Sequence, residues 1–434
     1  MLRALYTLLL RLLLPAASLL FWWRGRRDPA QRVNLRERLG HGRLRQGPQP
    51  VWIHAVSVGE VQAAAGLIAL LRARDPRRPV LLTMATATGR QRAQELYRDP
   101  LVELRYAPFD LPGAARRFLV RERPCAAIFL ETELWPNLLA SCARRHLPVA
   151  LVSARLSERS LRRYRSFARR LMRRTLRTLA IIAAQSQSDA ERFVALGADP
   201  ARVHVSGNVK FDFALPEDLG ARSAALRERW IGTRRAWVAG STHGGEEQQL
   251  TDAQRRIEGA WPAVGGRGAA PLLVLVPRHP ARFPQVAQWL TREGLRFVRR
   301  ADPQGVVGET TQVLLVDTLG ELLPFYACGE VAFVGGSLVP IGGHNLLEPA
   351  VLGLPVLSGP HNFNFPESAA RLAACGALEI VRDASSLASA VLRLLTDETE
   401  ASRRGDAGRA EVLVNRGAAG RSLALLGALL PPVV

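Results

Sequence analysis

Short apolar runs alternating with helix-length stretches constrain this chain more than any other feature. Val51–Val56, Val80–Thr83, Ala126–Leu130, Val149–Val152 and Ile181–Ala184 are continuous aliphatic blocks without polar alternation. Strands covered by helices on both faces read this way, because neither side of the pleat meets water. Gly59–Leu71 and the stretch from Gly89 to Arg98 carry helical patterns between them. The texture changes at Phe213–Arg222, which reads as a hinge, and the alternation then restarts. Trp237–Gly240, Leu272–Val276, Val313–Val316, Val331–Val334 and Pro355–Leu357 predict a second set of strands, with a helical tail from Ala384 onward. This order predicts an α/β fold with parallel sheets and helices on both faces, built twice. A chain of 434 residues has room for two such domains. The expected division is residues 1–23 as an N-terminal segment, 24–212 as the first domain and 213–434 as the second, terminal helices included. Ligands of open parallel sheets lie outside the carboxyl ends of the strands, so two facing halves predict a central cleft.

Ala4–Trp23 is apolar apart from Arg11, ends in Phe21-Trp22-Trp23, and is succeeded by Arg24, Arg26 and Arg27. About 20 apolar residues cross a bilayer. Flanking arginines place the downstream domains on the cytoplasmic side. The expectation is a membrane anchor, either spanning or lying in the interface. Arg155–Arg177 holds ten arginines, with Leu161, Tyr164, Phe167, Ala168, Leu171 and Met172 at steps of three and four. It predicts one basic amphipathic helix, either a solvated face or a contact for acidic lipid or a phosphate-bearing acceptor. The net charge of +21 asks for an anionic partner. Neither zinc-finger spacing nor a basic helix interleaved with aromatics is present, so a membrane surface fits better than nucleic acid. The four cysteines are scattered, and no His, Cys and Asp cluster has metal spacing. GxGxxG and Walker A patterns are both absent, which disfavours dehydrogenases and P-loop enzymes.

Polar residues gather at the predicted strand ends. His54-Ala-Val-Ser-Val-Gly-Glu60 follows the first strand and opens a helix. Glu60 reads as a helix-start carboxylate or as a general base; the helix dipole would lower its pKa, and burial would raise it. Glu131 and Glu133 follow the Ala126–Leu130 strand directly and, once desolvated, need a cation or a hydrogen bond. Lys210, in Gly207-Asn-Val-Lys-Phe-Asp212, is the only lysine among 59 basic residues. A site that needs a compact ammonium cannot accept the guanidinium fork. Lys210 can neutralise a phosphate or a substrate carboxylate, or it pairs with Asp212. In the second half, Gly240-Ser-Thr-His243 with Glu246-Glu247, Pro277-Arg278-His279-Pro280 and Asp317–Leu322 end three strands. Glu330–Pro349 ends a fourth, with Gly335-Gly336 and Gly342-Gly343 ahead of His344-Asn345. Two glycine pairs before a helix start predict a cradle for a phosphate-bearing ligand; the alternative is a tight turn that needs glycine for geometry alone.

Taken together, HAVSVGE (54–60), ETELWPN (131–137), GNVKFD (207–212), AGSTHGGEE (239–247), PRHPARF (277–283) and FVGGSLVPIGGHNLLEPA (333–350) resemble the 3-deoxy-D-manno-octulosonic acid (Kdo) transferases of lipopolysaccharide assembly. The resemblance covers nearly the whole chain. It implies an inverting, membrane-bound GT-B enzyme at the cytoplasmic face of the inner membrane, moving Kdo from CMP-Kdo to a lipid A precursor. It implies Glu60 as catalytic base, with Glu131 and Lys210 as transition-state stabilisers. It places CMP on Pro277 and Arg278, on Leu319, Gly320 and Glu321, and on Asn345, Leu346, Leu347 and Glu348. No metal or cofactor is expected. Ser153 stands where the family usually carries Asn, and Thr86–Gly89 varies a TPTG-like turn. The rival readings are another GT-B nucleotide-sugar transferase or epimerase, and a non-enzymatic basic protein of the membrane surface.

Overall fold

The computed structural model describes residues 2–12, 35–213, 215–266 and 268–430. Fourteen strands form two seven-stranded sheets, and every strand pair is parallel. The first sheet holds β1 (Val51–His54), β2 (Val80–Met84), β3 (Val102–Tyr106), β4 (Ala126–Leu130), β5 (Val149–Ala154), β6 (Ile181–Ala184) and β7 (Val203–Val205). Its order is β3-β2-β1-β4-β5-β6-β7. The second holds β8 (Ala236–Thr242), β9 (Leu272–Pro277), β10 (Phe297–Arg299), β11 (Val313–Leu315), β12 (Val331–Val334), β13 (Val356–Ser358) and β14 (Leu378–Ile380). Its order is β10-β11-β9-β8-β12-β13-β14. The doubled α/β expectation is met.

Two core clusters sandwich the first sheet. Trp52, Phe118, Phe129, Leu151 and Phe193 fill one, and Ile53, Leu67, Leu82, Ile128 and Val152 the other. Neighbours along one strand, such as Trp52 and Ile53, point to opposite clusters, as a pleat covered on both sides requires. In the second sheet Trp237, Leu273, Leu275 and Phe333 pack beneath the helices Glu246–Ala260 and Ala384–Thr396.

Two compact units divide the chain. One runs to Ala214 and takes in Asn415 onward, and the other is Leu215–Val414. The sequence reading kept the whole tail with the second half, whereas the helix Ala418–Leu426 packs on the first sheet through Ala418, Ala419 and Leu426. Its start is fixed from the far end of the first half: Gly417 N donates to Asp212 Oδ1 at 2.5 Å, and Ala419 N donates to Asp212 Oδ2.

Two further expectations change. The arginine-rich stretch is two helices, Glu158–Phe167 and Arg169–Leu176, broken at Ala168 (φ −136°, ψ 15°). Leu161, Met172 and Leu176 turn inward, and nine of the ten arginines are exposed. Residues 2–12 are helical and docked by polar groups, with Tyr6 Oη donating to Asp110 Oδ2 at 2.8 Å and Thr7 Oγ1 to Asn137 Oδ1 at 3.0 Å. Residues 13–23 of the expected anchor lie outside the described residues. Among the described residues no helix is long and apolar enough to cross a membrane.

Candidate active site

The first unit brings the three catalytic candidates together at the carboxyl end of its sheet. Ser57 caps the helix Val58–Arg74, and Glu60 sits in that helix's first turn, 6% exposed. Val56 N donates to Glu60 Oε2 at 2.7 Å and Ser57 Oγ to Oε1 at 2.8 Å. Glu60 therefore serves the helix start that its position predicts. Burial outweighs those two hydrogen bonds, and the charges of Glu131 and Glu133 push the same way, so its pKa rises from 4.5 to about 8. The competition posed by the sequence, dipole against burial, goes to burial.

Glu131 ends β4 in the left-handed region, φ 58°, a conformation costly for a residue with a Cβ. Its N–H donates to Val152 O at 3.0 Å, and its Oε1 lies 2.5 Å from Lys210 Nζ. The sequence alternative, Lys210 with Asp212, is set aside, because Asp212 is spent on the terminal helix. Lys210 rides a short 3₁₀ turn, Val209–Phe211, whose cap Asn208 takes Lys210 N at 2.9 Å. Ser153, also left-handed at φ 53°, steadies that cap: its Oγ is 3.3 Å from Asn208 Oδ1 and receives Gln185 Nε2 at 3.1 Å. Ser153 thus touches the turn that presents Lys210.

Glu133 was outside the expected set. Trp135 Nε1 donates to its Oε2 at 2.5 Å, and burial raises its pKa. The signal was legible, since two carboxylates two residues apart at a strand end cannot both be desolvated without consequence. His54 is fully buried among Phe129 and Trp135, with Nδ1 2.9 Å from Thr83 Oγ1, and burial lowers its pKa to about 3.

In the second unit the glycine-rich loop corrects the phosphate-cradle expectation. Glu246, wholly buried, already fills it. Its Oε2 accepts from Gly336 N at 2.7 Å and His243 N at 2.9 Å, and its Oε1 from Ser337 N and Leu338 N, each at 2.9 Å. The second pair closes the loop, Gly342 N and Gly343 N donating to Gly336 O at 3.0 and 2.8 Å. A Cβ on Gly335 would lie 2.7 Å from Ser241 O, and one on Gly342 2.4 Å from Asn364 Nδ2. Close packing requires these glycines, and their amides serve the protein itself.

The residues expected to hold CMP divide by what they can offer. Arg278 follows β9, is exposed, and its guanidinium makes no hydrogen bond or ion pair among the described residues. Pro277 is the buried last residue of that strand. Leu319 is 74% exposed, and Gly320 turns at φ 77°. Glu321 is occupied, accepting from Arg300 Nη2 at 2.8 Å and from Thr318 Oγ1. Asn345 Oδ1 accepts from Leu347 N at 3.2 Å while its Nδ2 donates to Glu348 Oε1 at 3.0 Å. Leu346 and Leu347 are 0% and 1% exposed, so their side chains belong to the core. Among the described residues no group of three or more His, Cys, Asp or Glu is placed to hold a metal ion.

The chain is 39% identical over 433 residues to the 3-deoxy-D-manno-octulosonic acid transferase of Bordetella pertussis, covering 97% of this chain and 98% of that one. The enzyme of the same name from Haemophilus influenzae is 38% identical, with 92% of each chain covered. The chain belongs to the 3-deoxy-D-manno-octulosonic acid transferase family. The family's domain model, described as 3-deoxy-D-manno-octulosonic-acid transferase (kdotransferase), matches residues 33–213, which contain Glu60, Glu131 and Lys210. Among solved structures, the UDP-GlcNAc 2-epimerase of Neisseria meningitidis superposes with a TM-score of 0.56 at 14% identity, covering 88% of this Kdo transferase family member and all of the epimerase. At that identity the likeness is one of fold.

Proposed function

We propose that this chain is an inverting glycosyltransferase that moves Kdo from CMP-Kdo to a lipid A precursor, the Kdo-adding step of lipopolysaccharide core assembly. The observation that carries the mechanism is Glu60, a buried carboxyl raised to about 8 beside the Glu131–Lys210 ion pair. A base that takes a hydroxyl proton works best with a pKa near the operating pH. Family membership over nearly the full chain supports the donor and the acceptor.

In the proposed step the acceptor hydroxyl oxygen bonds to the anomeric carbon of Kdo as the bond from that carbon to the phosphate oxygen breaks. The bonding electrons leave with CMP, and the hydroxyl proton passes to Glu60. One displacement inverts the anomeric centre. Lys210 meets the negative charge of the donor, at its phosphate or at the Kdo carboxylate. Arg278, the Leu319–Glu321 turn and Asn345–Glu348 would hold the nucleotide, Leu346 and Leu347 through backbone alone. These groups carry the leaving charge, with no metal in the step. Incubation with CMP-Kdo and tetraacyl lipid A precursor should yield products heavier by whole Kdo units. Turnover of a UDP-sugar with CMP-Kdo left intact would instead favour another transferase or an epimerase.

The acceptor is a lipid, and two surface features suit a bilayer at the cytoplasmic face of the inner membrane. Leu5, Leu9 and Leu12 are 55%, 52% and 67% exposed on the helix 2–12. The paired arginine-rich helices supply positive charge. Co-flotation with vesicles containing anionic lipid should fall with added salt; equal flotation with neutral vesicles would remove the charge contribution.

A further inference from the structure

Two histidines outside the roles given so far meet nitrogen to nitrogen in the second unit. His243 follows β8, and His344 follows the second glycine pair. Their Nε2 atoms are 2.8 Å apart, the ring centroids 5.1 Å apart, and the planes 5° from parallel. Nitrogens that close, on rings that far apart and nearly parallel, place the two imidazoles edge to edge in one plane. That is the geometry of a single N–H···N bond. One Nε2 donates and the other accepts, so the neutral pair offers one Nδ1–H and one bare Nδ1. Neither Nδ1 has a hydrogen-bond partner among the described residues. A proton added at the bare Nδ1 leaves the shared bond intact and turns the pair into a cation with two outward N–H donors.

The surroundings decide when that proton arrives. Arg278 and His279, after β9, face both rings, and His279 meets His243 edge-on at 5.3 Å. Arg282 also faces His243, but its charge is shared with Glu247 at 2.7 and 3.1 Å. Glu246 lies behind the pair with both oxygens committed to four backbone amides. Burial first, then His279, Arg282 and Arg278, hold His243 down to about 4, and burial, then Arg278 and the neighbouring histidines, hold His344 to about 3, so the unliganded pair is neutral at physiological pH. An anion laid against Arg278 would offset the repulsion and reward the added charge. His344 directly precedes Asn345–Glu348, where the nucleotide is expected.

We propose that the His243–His344 pair grips the phosphate of the CMP-sugar by taking up one proton as the ligand binds, so that donor binding is coupled to protonation. The proton comes from solvent, one N–H bond forms, and no other bond changes. The proposal rests on the CMP-sugar reading of this unit. The test is calorimetric titration of the full chain with the methyl ester of CMP, whose single phosphate charge does not titrate near neutrality, in two buffers of different ionisation enthalpy. Uptake approaching one proton per ligand is expected, with affinity falling up to tenfold for each unit that the pH rises. His344→Asn should lose the uptake, bind the ester at least tenfold more weakly, and keep its affinity for cytidine, which lacks the phosphate. Tight binding of the ester without proton uptake by the parent chain would overturn the pair's role and leave the CMP reading standing. Undiminished uptake in His344→Asn would do the same. Failure to bind either cytidine ligand, with a uridine nucleotide bound instead, would overturn both.

Discussion

Glu60→Gln should make the protein more stable and less active at once. The carboxyl titrates at about 8 in the folded protein, against an ordinary 4.5. The folded state therefore holds this proton more tightly than the unfolded chain does. The stability so contributed is complete below about pH 4.5, drains away as pH rises, and is fully lost above about pH 8. At about 1.4 kcal/mol per pH unit, the loss is on the order of 5 kcal/mol when complete and about 3 kcal/mol near pH 7, both upper bounds. Glutamine is neutral throughout, and its amide oxygen can still accept from Val56 N. Urea unfolding of the two proteins should therefore show the variant gaining up to that amount near pH 8 and nothing near pH 4.5. Over the same range, transfer by the parent should rise about tenfold per pH unit and level off near pH 8, while the variant is slower by about 10²–10⁴-fold. A variant no more stable than the parent near pH 8 would refute the burial argument. Near-normal turnover would remove Glu60 as the base.

Lys210→Arg should cost about a hundredfold or more in turnover, because the guanidinium fork does not fit where an ammonium sits 2.5 Å from Glu131; a loss under about threefold would end the case for a compact cation. Asp212→Ala should lower unfolding stability by about 1–2 kcal/mol through loss of a helix cap, read by denaturant titration, with faster proteolysis near residue 417 as its local signature. Glu246→Ala strips the acceptor from four backbone amides, two of them fully buried and each of those worth about 1–3 kcal/mol when left unpaired; the melting temperature should fall steeply, and less so for Glu246→Gln. Prolonged treatment with a chelator should leave Kdo transfer unchanged, and loss restored by a divalent cation would overturn the metal-independent mechanism.

The strands legible in the sequence share a place in the fold. The ten apolar runs are the ten interior strands, paired on both sides and covered on both faces. The four strands that sequence reading passed over, β3, β7, β10 and β14, are the four edges of the two sheets. An edge strand has one neighbour and touches water, so its residues need not be continuously apolar. Val102–Tyr106 is fully buried only at its two ends, and no residue of Val203–Val205 or Phe297–Arg299 is fully buried, Val203 and Phe297 being half-buried against the cores. The information was missing for a physical reason: the pattern marks full enclosure, and edges are not enclosed.

The site shows a different boundary. Sequence placed acids, glycines and a lone lysine at strand ends, and they are there. What it left open was which acids the fold consumes. Glu246, Asp212 and Glu321 look as available in the sequence as Glu60 does. Glu246 is taken by a loop some ninety residues away, Asp212 by a helix some two hundred residues away, and Glu321 by Arg300 and Thr318. Thr318 apart, which lies three residues from Glu321, such partners are set by which elements the fold brings together, and no local spacing encodes them. Glu60 differs in kind. Its partners, Val56 and Ser57, are its own neighbours, and among the described residues no cation pairs with it, so burial and the nearby acids raise its pKa with no counter-charge there to oppose them. A carboxylate whose oxygens are all spent on amides or arginines has no lone pair free to meet a substrate proton. One that is buried, lightly bonded and crowded by like charge is left close to the pH at which it must work.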